Sequence, residues 1–147
     1  MKVYLDVCCL NRPFDDQSQY KIRLESEAVI CILGMIETGD IEWVCSEAVD
    51  LETDKNSDEE KKDRVRQICR KASEYIKLTD GIENRAITLE ASGFGAFDAM
   101  HLATAESAHA EVLFTTDQKF ERLAARRRKN LGVSVVNPLQ WVKERCR

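Results

Sequence analysis

Short, β-rich apolar runs alternate along this chain with longer stretches of helical periodicity. Val3–Leu5, Ile41–Cys45, Val112–Thr115 and Val133–Val136 read as strands. Helical spacing marks Ile22 to Thr38, Glu59 to Ala72, Ile82 to Ala91, Ala96 to Ala108 and Phe120 to Lys129, with a closing helix from Pro138 to Arg145. Tyr75–Leu78 fits either a further short strand or a helix tail. Strands separated by helices pair in parallel through crossovers, so the expected fold is α/β: a parallel sheet flanked by helices.

Local chemistry supplies the punctuation. Asn11 to Asp16 is turn chemistry, because Pro13 fixes its own φ and pushes Arg12 out of the helical region. Leu24, Ala28, Cys31, Ile32, Met35 and Ile36 trace one helical face, and Gly39 terminates that helix. Ser46 can cap a helix containing Glu47, Val49, Leu51 and Glu52. Asp80-Gly81 ends a segment, and Pro138 suits a first helical turn.

With 147 residues and no repeat or linker, one domain spanning 1–147 is expected. A hydrophobic fraction of 44% excludes a disordered chain. Lys plus Arg is 22 against 26 Asp plus Glu, a net charge of −4, which argues against indiscriminate electrostatic coating of nucleic acid. No apolar run is long enough to span a membrane, and Asp6 interrupts the first one at once, so no membrane association and a cytoplasmic location are expected. Cys8, Cys9, Cys31, Cys45, Cys69 and Cys146 have irregular separations without a CxxC pair, which reads as reduced thiols rather than a zinc site or disulfide framework.

In open α/β sheets, ligands bind at the carboxyl ends of strands. Asp6 follows the first strand, Asp117 follows the strand at 112–115, and Glu52 lies in the helix after the second strand. Asp98 opens a low-charge helix among small and apolar neighbours, where a buried carboxylate is costly unless paired or metal-bound. Converging carboxylates repel each other, and a hard divalent ion relieves that repulsion. Such a site can activate water against a phosphodiester. The plain alternatives are helix N-caps for Asp6, Asp98 and Asp117, and a solvated face for Glu47, Asp50 and Glu52.

These residues resemble PIN-domain ribonucleases, the family that includes the toxin subunits of toxin–antitoxin pairs. Val3-Tyr4-Leu5-Asp6-Val7-Cys8 is similar to the family's first strand and first acid. Ser46 through Glu52 is similar to its second strand end and acid, which selects Glu52 over Glu47. Asp98-Ala99-Met100-His101-Leu102-Ala103 is similar to its D-A-x-H-x-A helix, and Phe114-Thr115-Thr116-Asp117 to the strand end bearing its last acid. The resemblance implies a three-layer α/β/α sandwich around a central parallel sheet of four or five strands. It implies Mg²⁺ or Mn²⁺ at Asp6, Glu52, Asp98 and Asp117, endoribonuclease action on single-stranded RNA, a homodimer and a cognate antitoxin. Two departures stand out. Cys8 occupies a position where many members carry Asn or Ser; a thiol is a poorer partner for a hard ion or its water, so a supporting contact is either lost or supplied by Asn11, and Asn11 to Asp16 replaces a more usual apolar continuation.

Thr115 is expected to orient a carboxylate or water. His101 is expected to be a structural histidine bonded to backbone. Arg12, Arg126, Arg127 and Arg128 are candidate RNA contacts, the last three within a basic run from Arg122 to Lys129 that equally suits a helix C-terminus. The alternative to a nuclease is a catalytically weak PIN-like RNA-binding or protein-interaction module. A phospho-acceptor receiver-like domain would also cluster acids, but no suitably placed Lys lies near the last strand.

Overall fold

In the computed structural model, which describes residues 1–145, five strands form one sheet: β1 (Lys2–Leu5), β2 (Glu42–Ser46), β3 (Glu74–Ile76), β4 (Val112–Phe114) and β5 (Ser134–Val136). Their spatial order is β3-β2-β1-β4-β5, and every pairing is parallel. Val3, Tyr4 and Leu5 are fully buried because β1 is central and covered on both faces. That is why its sequence is continuously apolar rather than alternating. The segment around Tyr75 is a strand, β3, rather than a helix tail.

Among the described residues there are eight α-helices: α1 (Val7–Asn11), α2 (Tyr20–Glu37), α3 (Glu47–Asp54), α4 (Glu59–Cys69), α5 (Asp80–Ala91), α6 (Ala96–Ser107), α7 (Gln118–Arg126) and α8 (Pro138–Arg145). One group packs α2 against α8, and another packs α6 against α5 and α3. With the sheet between them this is a three-layer α/β/α fold. Trp43, Tyr4, Phe114 and Leu102 are among its fully buried side chains, and Trp141 of α8 meets Phe114 edge-on with ring centroids 5.1 Å apart.

Several boundaries differ from the sequence expectation. The chain turns helical directly after Asp6, as α1, and continues into a 3₁₀ turn at Arg12–Phe14 with Pro13 inside it. Five residues carry too little periodicity to be read as a helix. Asp80-Gly81 opens α5 rather than ending a segment, because Thr79 Oγ1 accepts the Ile82 N–H as an N-cap. The buried residues of α2 are Glu25, Ser26, Ala28, Val29 and Ile32, while Leu24 and Cys31 face outward. A salt bridge permits the rotation, since Arg12 neutralises buried Glu25. The basic helix stops at Arg126, and a 3₁₀ turn spans Arg128–Asn130. Ser46 caps α3 as its position suggests, its Oγ accepting the Val49 N–H at 3.2 Å.

Cys8, Cys9, Cys31, Cys45 and Cys69 are free thiols, and Cys146 lies outside the described residues. Among the described residues no helix is long and apolar enough to cross a membrane.

Candidate metal centre

The sheet changes winding direction at β1, whose successor β2 lies on one side while β4 lies on the other. Crevices at such switch points are where open α/β sheets bind ligands. Asp6 stands at that edge, its backbone N–H donating to the Phe114 carbonyl at 3.0 Å. Although Asp6 occupies the N-cap position of α1, its carboxylate makes no capping bond. Oδ2 instead accepts from the Thr115 hydroxyl at 2.9 Å and from the Cys8 thiol at 3.3 Å. Cys8 Sγ also receives the Thr116 N–H at 3.3 Å. The thiol therefore keeps the contact that its chemistry put in doubt. Asn11 does not supply it: its Oδ1 is buried with no hydrogen-bond partner among the described residues.

The acids of α3 divide by direction. Glu47 accepts the Leu78 N–H, and Asp50 meets the Tyr75 hydroxyl, so both serve the β3 side of the sheet. Glu52 points the other way and bonds His101 Nε2 at 2.7 Å. His101 is fully buried, yet its partners are side chains rather than backbone, which corrects the sequence expectation. Its Nδ1 lies 2.6 Å from the Tyr4 hydroxyl, which lies 2.6 Å from Ser46 Oγ. Asp6 Oδ1 is 3.6 Å from Nε2. Burial alone would push His101 down, but the bond to Glu52 and the charge of Asp6 outweigh it and hold the imidazole above its ordinary value. Ser46, Tyr4, His101 and Glu52 thus form one buried polar line from β2 through β1 and α6 to α3.

Donor atoms of Asp6, Glu52 and His101 all lie within 4.8 Å of one another, close enough to hold a metal ion. Asp98 and Asp117 stand outside that tightest set. Asp98 is the third residue of α6, whose N-cap is Gly95, so it is not the cap. Burial first, then the charges of Asp6 and Asp117, push its carboxyl up to about 7, against a smaller opposing pull from His101. Burial likewise raises Asp6, with Glu52 adding to it and His101 opposing. Carboxylates that resist ionisation through mutual repulsion fit a cation, and their oxygen donors suit a hard divalent one. Asp117 does cap α7, Oδ1 accepting the Lys119 and Phe120 N–H groups. Thr115 Oγ1 bridges this strand end, donating to Asp6 and accepting the Asp117 N–H at 3.1 Å.

The candidate phosphate-binding arginines lie elsewhere. Helices in a parallel α/β fold run back against the strands, so α7 leaves the acidic edge at Asp117 and reaches Arg126 about 13 Å away. Arg126, Arg127 and Arg128 are exposed near the opposite edge, where Arg128 Nη1 caps the Leu131 carbonyl at 2.9 Å. Arg12 is closer but committed: its guanidinium binds Glu25 at 3.0 Å and Asp15 at 3.1 Å. Replacing it by methionine leaves Glu25, only 1% exposed, without its main cation. We expect Arg12→Met to cost about 3 kcal/mol in urea unfolding, with RNA affinity per folded molecule unchanged. Lys55, missed by the sequence reading, stands nearer the acids, at the C-cap of α3 with Nζ 5.4 Å from the Phe97 ring centre. Its signal was the position three residues after Glu52.

The family model of the PIN domain matches residues 3–126, and the chain belongs to that family. A search of curated proteins gives no match. Two solved structures share the fold. VapBC2 from Rickettsia felis bound to a DNA fragment from their promoter superposes with a TM-score of 0.59 at 16% identity, over 93% of this chain and 98% of that one. VapBC-1 from nontypeable Haemophilus influenzae gives 0.55 at 14% identity, over 94% and 98%.

Proposed function

We propose that the chain, acting as one domain over 1–147, is a metal-dependent endoribonuclease that hydrolyses phosphodiester bonds of single-stranded RNA. The observation that carries this reading is the grouping of Asp6, Glu52 and His101 donor atoms at the switch point, beside an Asp98 carboxyl that burial first, and then the charges of Asp6 and Asp117, push up to about 7. Asp6, Glu52 and Asp98 would hold Mg²⁺ or Mn²⁺, directly or through water, with Asp117 completing the acidic edge. When bound there, such an ion would supply an activated water and offset charge on the phosphate. Thr115 and Cys8 orient Asp6, and His101 orients Glu52. These hydrogen-bonded supports hold the donors ready, so little reorganisation accompanies binding.

Family membership and the likeness to two VapBC structures support a role as the toxin of a toxin–antitoxin pair, with a cognate antitoxin as partner. The reading includes a cytoplasmic homodimer. Single-stranded RNA incubated with Mn²⁺ or Mg²⁺ should be cleaved by the wild type, spared in EDTA, and spared by Asp98→Asn. Equal cleavage by both proteins would remove the site. No metal-dependent cleavage of any RNA tested would leave the alternative, a catalytically weak RNA-binding or protein-interaction module.

A further inference from the structure

We infer that Phe97 and Lys55 form a nucleotide platform at the edge of the acidic cluster, Phe97 stacking one base and Lys55 taking an adjacent phosphate. The inference rests on the nuclease reading and identifies which side chains grip the strand beside the metal site. Phe97 immediately precedes Asp98 in the first turn of α6 and is half-buried. Its ring packs against His101, centroids 6.5 Å apart with planes 30° from parallel, so its place is set by a fully buried residue of the polar line. Lys55 Nζ sits over the same ring at 5.4 Å, on an exposed side chain three residues beyond Glu52.

The chemistry fits a single strand. Non-paired nucleic acid is bound by aromatic faces interleaved with cations, because every base has a π-face and every linkage a charge. An exposed lysine over a ring is held weakly and moves freely. A base sliding onto Phe97 takes the position of the ammonium, and the displaced ammonium meets the phosphate arriving with that base. Among the other cations of the described residues, Lys119 in the first turn of α7 also stands by the acidic edge, but no aromatic ring lies under it, and several others are tied or distant. Arg12 is bound to Glu25 and Asp15, Lys61 to Asp15, and the run Arg126 to Lys129 lies near the far edge. The pair also explains how an acidic cluster tolerates a polyanion: one cation and one neutral stacking surface stand at its border. A duplex would present no free base face to Phe97, so the platform favours unpaired RNA.

The test is fluorescence-anisotropy titration of labelled eight-nucleotide single-stranded RNAs, in Mn²⁺, against Asp98→Asn protein so that the strand stays intact. One oligonucleotide is complete, and the others carry a single abasic nucleoside at successive positions. Removal of one particular base should weaken binding about ten-fold. In Asp98→Asn, Phe97→Ala, the complete strand should bind about ten-fold more weakly, and the abasic penalty at that position should vanish. Phe97→Tyr should restore both. Lys55→Gln should make the slope of log affinity against log salt shallower by about 0.7, the value of one single-strand phosphate contact, with Lys55→Arg restoring it. An abasic penalty that survives Phe97→Ala would overturn the inference, because a merely structural phenylalanine weakens all strands alike. An unchanged salt slope in Lys55→Gln would remove the lysine's part. Cleavage by wild-type protein in parallel separates the two levels: cleavage without a Phe97-dependent base position overturns the platform alone, while neither cleavage nor RNA binding overturns the nuclease reading and the platform together.

Discussion

Asp98→Asn should abolish metal-dependent cleavage and, in the same step, make the metal-free protein more stable above neutral pH. Asp98 titrates near 7 in the folded chain, against about 4 for an ordinary carboxylate in the unfolded one. Between those values the folded state keeps a proton that the unfolded state releases, so stability falls as pH rises from about 4 to about 7 and then levels off. Asparagine has no proton to lose and escapes the penalty. Because Asp98 is partly exposed, solvent screens much of the effect, and about 1–2 kcal/mol is the expected gain at pH 8. Urea unfolding in EDTA at pH 8 and pH 4 checks it: the variant should lead at pH 8 and match the wild type at pH 4. Added Mn²⁺ should reverse the order at pH 8, since the ion stabilises only a cluster that can bind it. A variant no more stable than wild type at pH 8 would show that Asp98 carries no strain.

Tyr4→Phe should lower Mn²⁺ affinity by about 10- to 100-fold although Tyr4 is no candidate ligand. Its hydroxyl contacts both Ser46 Oγ and His101 Nδ1 at 2.6 Å, fully enclosed in the core. Without it, Nδ1 has lost its partner and the imidazole loses the anchor that aims Nε2 at Glu52. Leaving the buried His101 Nδ1 unpaired should also cost about 1–3 kcal/mol of stability. Calorimetric Mn²⁺ titration and urea unfolding in EDTA separate the two effects. Reduced stability with unchanged metal affinity would mean that the polar line supports the core and does not position the cluster.

How much of this was readable in the sequence depended on whether the deciding contact was local. Asp6 stood out because a carboxylate interrupts a buried strand run, and Asp98 because its neighbours are small and apolar. Neither signal needs a distant partner. His101 was misassigned because Tyr4 lies 97 positions away and Glu52 lies 49 away, so nothing nearby announces side-chain partners. The outward turn of Leu24 likewise follows from Arg12 reaching Glu25 across 13 positions. The run from Arg122 to Lys129 was visible as charge, but its distance from the acids is a property of helix direction in a parallel fold. β3 was ambiguous because three residues alternate too briefly, and pairing with β2 decided the matter. The strain at Asp98 was visible for a related reason: an energetic conflict inside one helix turn is legible before the fold is known.

The central placement of β1 bears on when the site can exist during synthesis. Thr115 and Asp6, hydrogen-bonded to each other, are 109 positions apart, and β4 is the last neighbour that β1 acquires. A growing chain that has not yet released β4 from the ribosome has Asp6 with neither its hydroxyl support nor the strand edge beside it. No nascent fragment that stops short of β4 therefore carries a finished centre, whatever else has already folded. For a protein proposed to cut RNA, and made on a machine built of RNA, the wiring of the sheet delays the hazard until β4 has emerged and paired.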